Sequence, residues 1–399
     1  MRKYSFLLLV FLLFITTGCG SPKPKLNIVM GLGEAEWKVM REVVFPPFEK
    51  LHGVKIEAIQ INAADLPGVL ETQVKSRKVK IDLFAQDNMQ LEYLANRGLV
   101  ADLTDFKKEL PETVVPGLVK AGEFDFRLYF LPFRPIVQIT YYNADKFKQY
   151  GLEPPRNWSE LYLVARIFKQ KEGAGKIIFK ANGGVPTATQ LYEWIISAGG
   201  NPLTINDEGC INTLAFLQSL WPYLSPDSIH ANADTSNEYL AQDSAYLMQN
   251  WPSGLRVIVE QYAKEDIATY PGFAGPSQEA HLIGGEMLGI PKGSKKQELA
   301  LQFVKYLQSR AVQEKLAAQL GWPSLRTDAY ETVPAWMKPH FESVNKAMQS
   351  GVFCKEVYYW DDYVKYINEA FADIVIRGKP VKETLDYYHN QLELAKQRV

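Results

Sequence analysis

Acidic, amide and aromatic side chains gather just behind short apolar runs in this chain, where loops leave strands. The run LNIVM (residues 26–30) is followed by Gly31-Leu32-Gly33-Glu34-Ala35-Glu36-Trp37, the run 54–59 by Asn62, and the run 81–85 by Gln86-Asp87-Asn88. Carboxylates and side-chain amides suit neighbouring hydroxyls, because each can accept or bridge paired hydrogen bonds. Helix capping is the alternative for Asp87 or Asn88, and Glu36 is either an acceptor for ligand hydroxyls or a solvated helix start. Trp37 opens an apolar stripe, so its ring is either a ligand surface or core. Arg134 could clamp a carboxylate or phosphate, or pair with Glu36. Trp251 stands between the run 245–248 and Pro252, at an expected turn. Its rigid face could cover the C–H face of a pyranose, or pack under the helix that follows. Glu286 comes directly after Gly284-Gly285, whose missing side chains would let a ligand approach the backbone. Trp322 lies beside Pro323, and Tyr359, Trp360 and Tyr363 open the last helical stretch. Two of these four aromatics are expected to face a cleft, while Arg326 is assigned to packing.

Other chemistries find little in the chain. Gly31-Leu32-Gly33 invites a dinucleotide reading, yet the third glycine is missing and Glu34 and Glu36 would repel a pyrophosphate. There is no GxSxG, HExxH or GxxxxGK[ST], and the five histidines are scattered without ligand spacing. The sequence therefore nominates no catalytic residue, metal or cofactor, although acidic residues are too many to exclude a paired-carboxylate glycosidase by counting. The net charge of −1 gives no general pull toward nucleic acid, and no basic stripe interleaves with aromatics.

The elements that must position these groups alternate. Strands are expected at 26–30, 54–59 and 81–85, with a helix over 65–76 and an apolar helical stripe running Trp37, Met40, Val44, Phe48, Leu51. Pro46-Pro47 should divide that stripe into two short helices. Strand–helix alternation predicts parallel βαβ units and an α/β architecture. Further strand-like segments fall at 129–131, 136–142, 177–179, 245–248 and 282–290, with a helix pair over 295–320. Gly378-Lys379-Pro380 divides two closing helices, a stop followed by a start. Asn143 reads as a helix cap, and Trp158 as a core anchor.

The amino terminus carries a basic start, an apolar stretch of roughly ten residues and small residues before Cys19, the pattern of a secretory signal peptide. About 20 apolar residues would be needed to span a membrane. The segment resembles the lipobox of bacterial lipoproteins, although Thr16 stands where Leu is usual. That resemblance implies lipidation of Cys19, a signal peptide over 1–18 and a Pro-rich tether over 19–25, with the protein working outside the cytoplasm. Roughly 380 residues then remain, enough for two domains. Cys210 and Cys354 are left either to pair or to stay as buried thiols.

Three stretches together resemble the extracellular solute-binding proteins of ABC importers, the family of maltose-binding protein and its sugar-binding relatives. They are LEYLANRGLVADLT (91–104), YFLPFRPIVQITYYNADKFKQYGLEPPRNWSEL (129–161) and the segment 283–330 with its Gly-Gly, Ile-Pro-Lys-Gly and Pro-x-x-Arg. The closing Gly378-Lys379-Pro380 and its helix fit as well. The resemblance implies a two-lobe periplasmic-binding-protein fold with crossing strands as hinge and a ligand cleft between lobes. It implies one lobe from 26–135 and 283–322, and the other from 136–282 and 323–399. A mono- or oligosaccharide is the expected ligand, ABC permease subunits the partner, and a monomer the expected state. The candidate contacts are Glu36, Trp37, Asn62, Gln86, Asp87, Arg134, Trp251, Gly285, Glu286, Trp322 and Trp360. The alternatives are an anionic solute, such as a uronic acid oligomer or phosphorylated polyol with Arg134 as counter-charge, and an extracytoplasmic hydrolase using the same cleft.

Overall fold

Alternation of buried and exposed residues makes Lys25–Val29 the first strand, β1, with Leu26 and Ile28 fully buried. The computed structural model describes residues 23–61, 65–87, 90–355 and 357–397. Cys19 and the leader before it, Asn62 and Asn88 lie outside these residues. β2 (Lys55–Ile59) and β3 (Leu83–Asp87) flank β1 in parallel, as the βαβ pattern predicts. Among these first elements two differ from expectation. The stripe from Trp37 is not split at Pro46-Pro47: a π turn over Met40–Val44 joins the helix Glu34–Val39 directly to the helix Phe45–His52. The prolines fall in the first turn of that second helix, where a missing N–H is tolerated. The third strand lies two residues further along than 81–85, because its end is held by antiparallel pairing to a later strand.

The later strands are β4 (Glu123–Phe124) and β5 (Arg127–Leu128), a hairpin, then β6 (Phe130–Val137), β7 (Ile139–Asn143) and β8 (Ile177–Ile178). They are followed by β9 (Leu247–Asn250), β10 (Ile267–Tyr270), β11 (His281–Gly289) and β12 (Gly351–Phe353). The first sheet runs β12-β11-β3-β1-β2, with β6 also paired to β11; the second runs β10-β7-β9-β8. β6 runs almost directly into β7, so one stretch of chain passes from the first sheet to the second. β11 lies antiparallel to β6 along most of its length.

Each sheet has its own core. Around the first, Leu26, Ile28, Phe48 and Leu83 pack with Phe303 and Leu307 of the helix Gln297–Leu307. Around the second, the helices Trp158–Glu172, Gly184–Ser197, Glu208–Leu220, Trp360–Phe371 and Val381–Lys396 bury Phe168, Leu191, Leu214, Tyr246, Ile367 and Leu385. A third cluster, Val137, Ile139, Tyr141, Ile283, Leu325 and Val344, joins the crossing strands to the helix Lys338–Gln349. Asn143 caps its helix, accepting the Lys146 N–H at 3.0 Å. Cys210 and Cys354 are free and buried. Among the described residues no helix is long and apolar enough to cross a membrane.

Trp158 is the anchor of the second core: its ring stacks on Phe216 at 4.6 Å and leans on Trp194 at 5.4 Å. Trp158→Ala is expected to lower stability by about 3–5 kcal/mol in urea unfolding. Leu163→Ala, at an exposed position of the same helix, should stay within about 0.5 kcal/mol.

Candidate functional site

Register sets the floor of the site. β6 and β11 pair Arg134 with Glu286 and Ile136 with Gly284, so these residues share one face of the sheet. Gly284 and Gly285 clear space on opposite faces. A Cβ on Gly284 would sit 3.9 Å from the Trp251 ring. Gly285 has φ +116°, and a Cβ there would lie 2.1 Å from the Arg134 carbonyl oxygen, so no other residue fits.

At one end of this floor lies an ionic cluster. Arg134 Nη1 donates to Glu36 Oε1 at 2.7 Å, and Nη2 lies 3.0 Å from Glu286 Oε2. Trp322 Nε1 donates to the same Glu36 oxygen at 3.0 Å, and the guanidinium rests over the Trp322 ring at 4.9 Å. Phe133 meets that ring edge-on at 5.8 Å. Glu36 Oε2 accepts the Gly33 N–H at 2.7 Å, which pins the helix start to the loop after β1. Arg134 pairs with Glu36, one of the two readings open for it.

Asp87, the last residue of β3, is the Cα partner of Glu286. Burial pushes the Glu286 carboxyl up; Arg134 opposes that shift, while Asp87 and Glu36 add to it. The cluster thus holds one cation among three carboxylates, an environment rich in hydrogen-bond acceptors.

At the other end stands Trp251, half-buried after β9 and before the helix Ser253–Tyr262. The turn is fixed because the Tyr141 hydroxyl donates to the Trp251 carbonyl at 2.6 Å. Lys180 and Gln138, which the sequence reading passed over, lie beside it: Lys180 Nζ donates to Gln138 Oε1 at 3.1 Å and sits 5.7 Å from the Trp251 ring centroid. Their signal was present, since Lys180 ends the apolar run Ile177-Ile178-Phe179 and Gln138 interrupts another. Behind them Glu193, buried on the helix Gly184–Ser197, accepts the Leu282 N–H at 2.6 Å and Gln249 Nε2 at 2.8 Å.

Glu36, Asp87, Arg134, Glu286 and Trp322 therefore converge, Gly285 lies between them on β11 but faces the other side of the sheet, and Trp251 meets them across Gly284. Two candidates are turned away from them, Trp37 and Gln86. Trp37 is 4 % exposed and packs edge-on against Phe45 at 6.4 Å, because it is the first knob of the apolar stripe. Gln86 pairs with Met287, which turns it to the face opposite Glu286, where it is buried. Trp360 packs half-buried on Tyr363 and Tyr192 at 5.1 and 6.4 Å, and Tyr363 is fully buried. Arg326 is a packing residue, pairing with Asp328 at 2.7 Å.

The sequence model of the bacterial extracellular solute-binding proteins matches residues 44–343. This chain belongs to that family. Among curated relatives, the diacetylchitobiose binding protein DasA of Streptomyces coelicolor is 23% identical over 255 residues, 60% of this chain and 59% of that protein. The sn-glycerol-3-phosphate-binding periplasmic protein UgpB of Brucella abortus is 26% identical over 54% of each chain. The chain thus spans little more than half the length of these two relatives. Among solved structures, the sugar-binding protein MalE of Xanthomonas citri superposes with a TM-score of 0.80 at 17% identity, over 94% of this chain and 98% of that one. Maltose-bound MalE3 of Thermotoga maritima gives 0.71 at 19% identity, over 93% and 99%. At such identities the likeness shows the fold, which is the two-lobe α/β fold of maltose-binding proteins.

Arg134 is the keystone of the cluster, so Arg134→Ala leaves Glu36 and Glu286 facing each other. The expected loss is about 1–3 kcal/mol at pH 7, discounted because the three side chains keep some solvent contact. Removing the cation raises the folded-state pKa of Glu286 further, and an acid whose pKa is raised on folding loses stability as pH rises. The deficit should therefore shrink as pH falls toward the ordinary carboxylate range; denaturant melts at pH 7 and 5 that differ equally from wild type would contradict this.

Proposed function

We propose that this protein is the solute-binding component of an ABC importer, capturing a carbohydrate outside the cytoplasm and handing it unchanged to permease subunits. Cys19 would carry a lipid anchor that holds it at the membrane surface, with residues 19–25 as tether. The lobes would comprise residues 26–135 with 283–322 and 136–282 with 323–399, closing over the ligand as a monomer. One observation carries the reading: acceptor side chains and an aromatic face stand across a floor cleared by Gly284. Glu36, Asp87 and Glu286 would accept hydrogen bonds from hydroxyls, and Trp251 would cover a sugar's C–H face. The relatives' names agree in part, since DasA binds diacetylchitobiose and the solved MalE proteins bind sugars, whereas UgpB binds sn-glycerol 3-phosphate. An anionic solute held by Arg134 is the weaker alternative, because that cation is already shared by Glu36 and Glu286.

Calorimetric titration with mono- and oligosaccharides should find at least one that binds and is recovered intact by mass analysis. Trp251→Ala should weaken it roughly tenfold or more. Turnover of the saccharide would instead identify a hydrolase, and a panel without any binder would refute the carbohydrate reading.

A further inference from the structure

The wall beneath Trp251 holds donors that the proposal above leaves unused. Lys180 is 1 % exposed, and its ammonium donates to Gln138 Oε1 and faces the indole. No ion pair joins it to any carboxylate among the described residues, and the one whose charge it feels is Glu193. Both oxygens of Glu193 already accept other donors, Leu282 N–H and Gln249 Nε2. Gln138 is fully buried, and its Nε2 has no hydrogen-bond partner. Two buried donors thus stand side by side, an ammonium with donor capacity to spare and an amide N–H, with no acceptor between them. Buried polar groups in folded proteins are ordinarily satisfied, and a buried ammonium is ordinarily paired.

We infer that the ligand bears a carboxylate, as in a uronic-acid-containing oligosaccharide, and that Lys180 and Gln138 bind it. This rests on the carbohydrate reading above. A carboxylate has two oxygens, one for each donor, and its bond to an ammonium is charge-assisted, roughly twice as strong as a neutral one. Burial brings the Lys180 amine down to about 8, with Glu193 opposing, so it keeps its proton at neutral pH. The opposite wall fixes the ligand's direction. Gln138 lies four residues past Arg134 along the crossing strand, about 13 Å away at ~3.3 Å per residue. At that far end Glu36, Asp87 and Glu286 repel a carboxylate and accept hydroxyls. The acid group therefore goes under Trp251 and the hydroxyl-bearing end toward Arg134.

The test is calorimetry with galacturonate and glucuronate disaccharides, their neutral counterparts and their N-acetylated amino-sugar counterparts. A uronate should bind at least roughly tenfold tighter than its neutral counterpart, and Lys180→Met should abolish that preference. The variant also loses the bond to Gln138 Oε1, so its melting point is measured beside wild type, and the pair Lys180→Met with Gln138→Leu, which leaves neither group unpaired, should abolish the preference as well. Tighter binding of the neutral or acetamido sugars would overturn the assignment and leave the carbohydrate reading standing. So would a uronate preference that survives Lys180→Met. Failure of every saccharide to bind would overturn the carbohydrate reading itself.

Discussion

The antiparallel pairing of β6 with β11 is the constraint on which the rest of the structure depends. β6 and its continuation β7 carry the chain from the first sheet to the second, and β11 lies against them. Because side chains alternate along a strand, a slip of one residue would turn Arg134 and Glu286 to the opposite face. Gly285 permits the observed register, since any side chain there would collide with the Arg134 carbonyl. The same register that joins the two sheets therefore aims the polar groups of the site.

Electrostatics then divides the site in two. On one side Arg134 is held between Glu36 and Glu286, with Trp322 under its face, so three segments distant in sequence meet at one guanidinium. A single cation among carboxylates favours ligands that donate. On the other side Lys180 and Gln138 lie beneath Trp251 with donors to offer. A cleft with acceptors at one end and donors at the other would recognise a molecule with unlike ends and set its direction. The apolar contact would come from Trp251, whose backbone carbonyl is held by the Tyr141 hydroxyl.

The local signals were legible in the sequence wherever one residue type sufficed. Asn143 as a cap, Trp158 as a core anchor, Trp251 at a strand-to-helix turn and the glycine pair before Glu286 could all be read from neighbours in the chain. Groups whose role depends on pairing between distant segments were harder. β3 is extended to Asp87 by β11, almost 200 residues later, and that pairing turns Gln86 away from the cleft face. Trp37 opens the apolar stripe and belongs to the core, where it packs against Phe45. Lys180 and Gln138 were missed because a lysine after a short apolar run looks like a solvated strand end. Only the packed structure buries it beside an unpartnered amide.

The most direct test of the account is a crystal structure of the protein with a saccharide that binds it in solution. The ligand should lie over Gly284, with a ring on Trp251 and hydroxyls within hydrogen-bond distance of Glu36, Asp87 or Glu286. A saccharide bound elsewhere, with the surface between Trp251 and the Arg134 cluster empty, would contradict it.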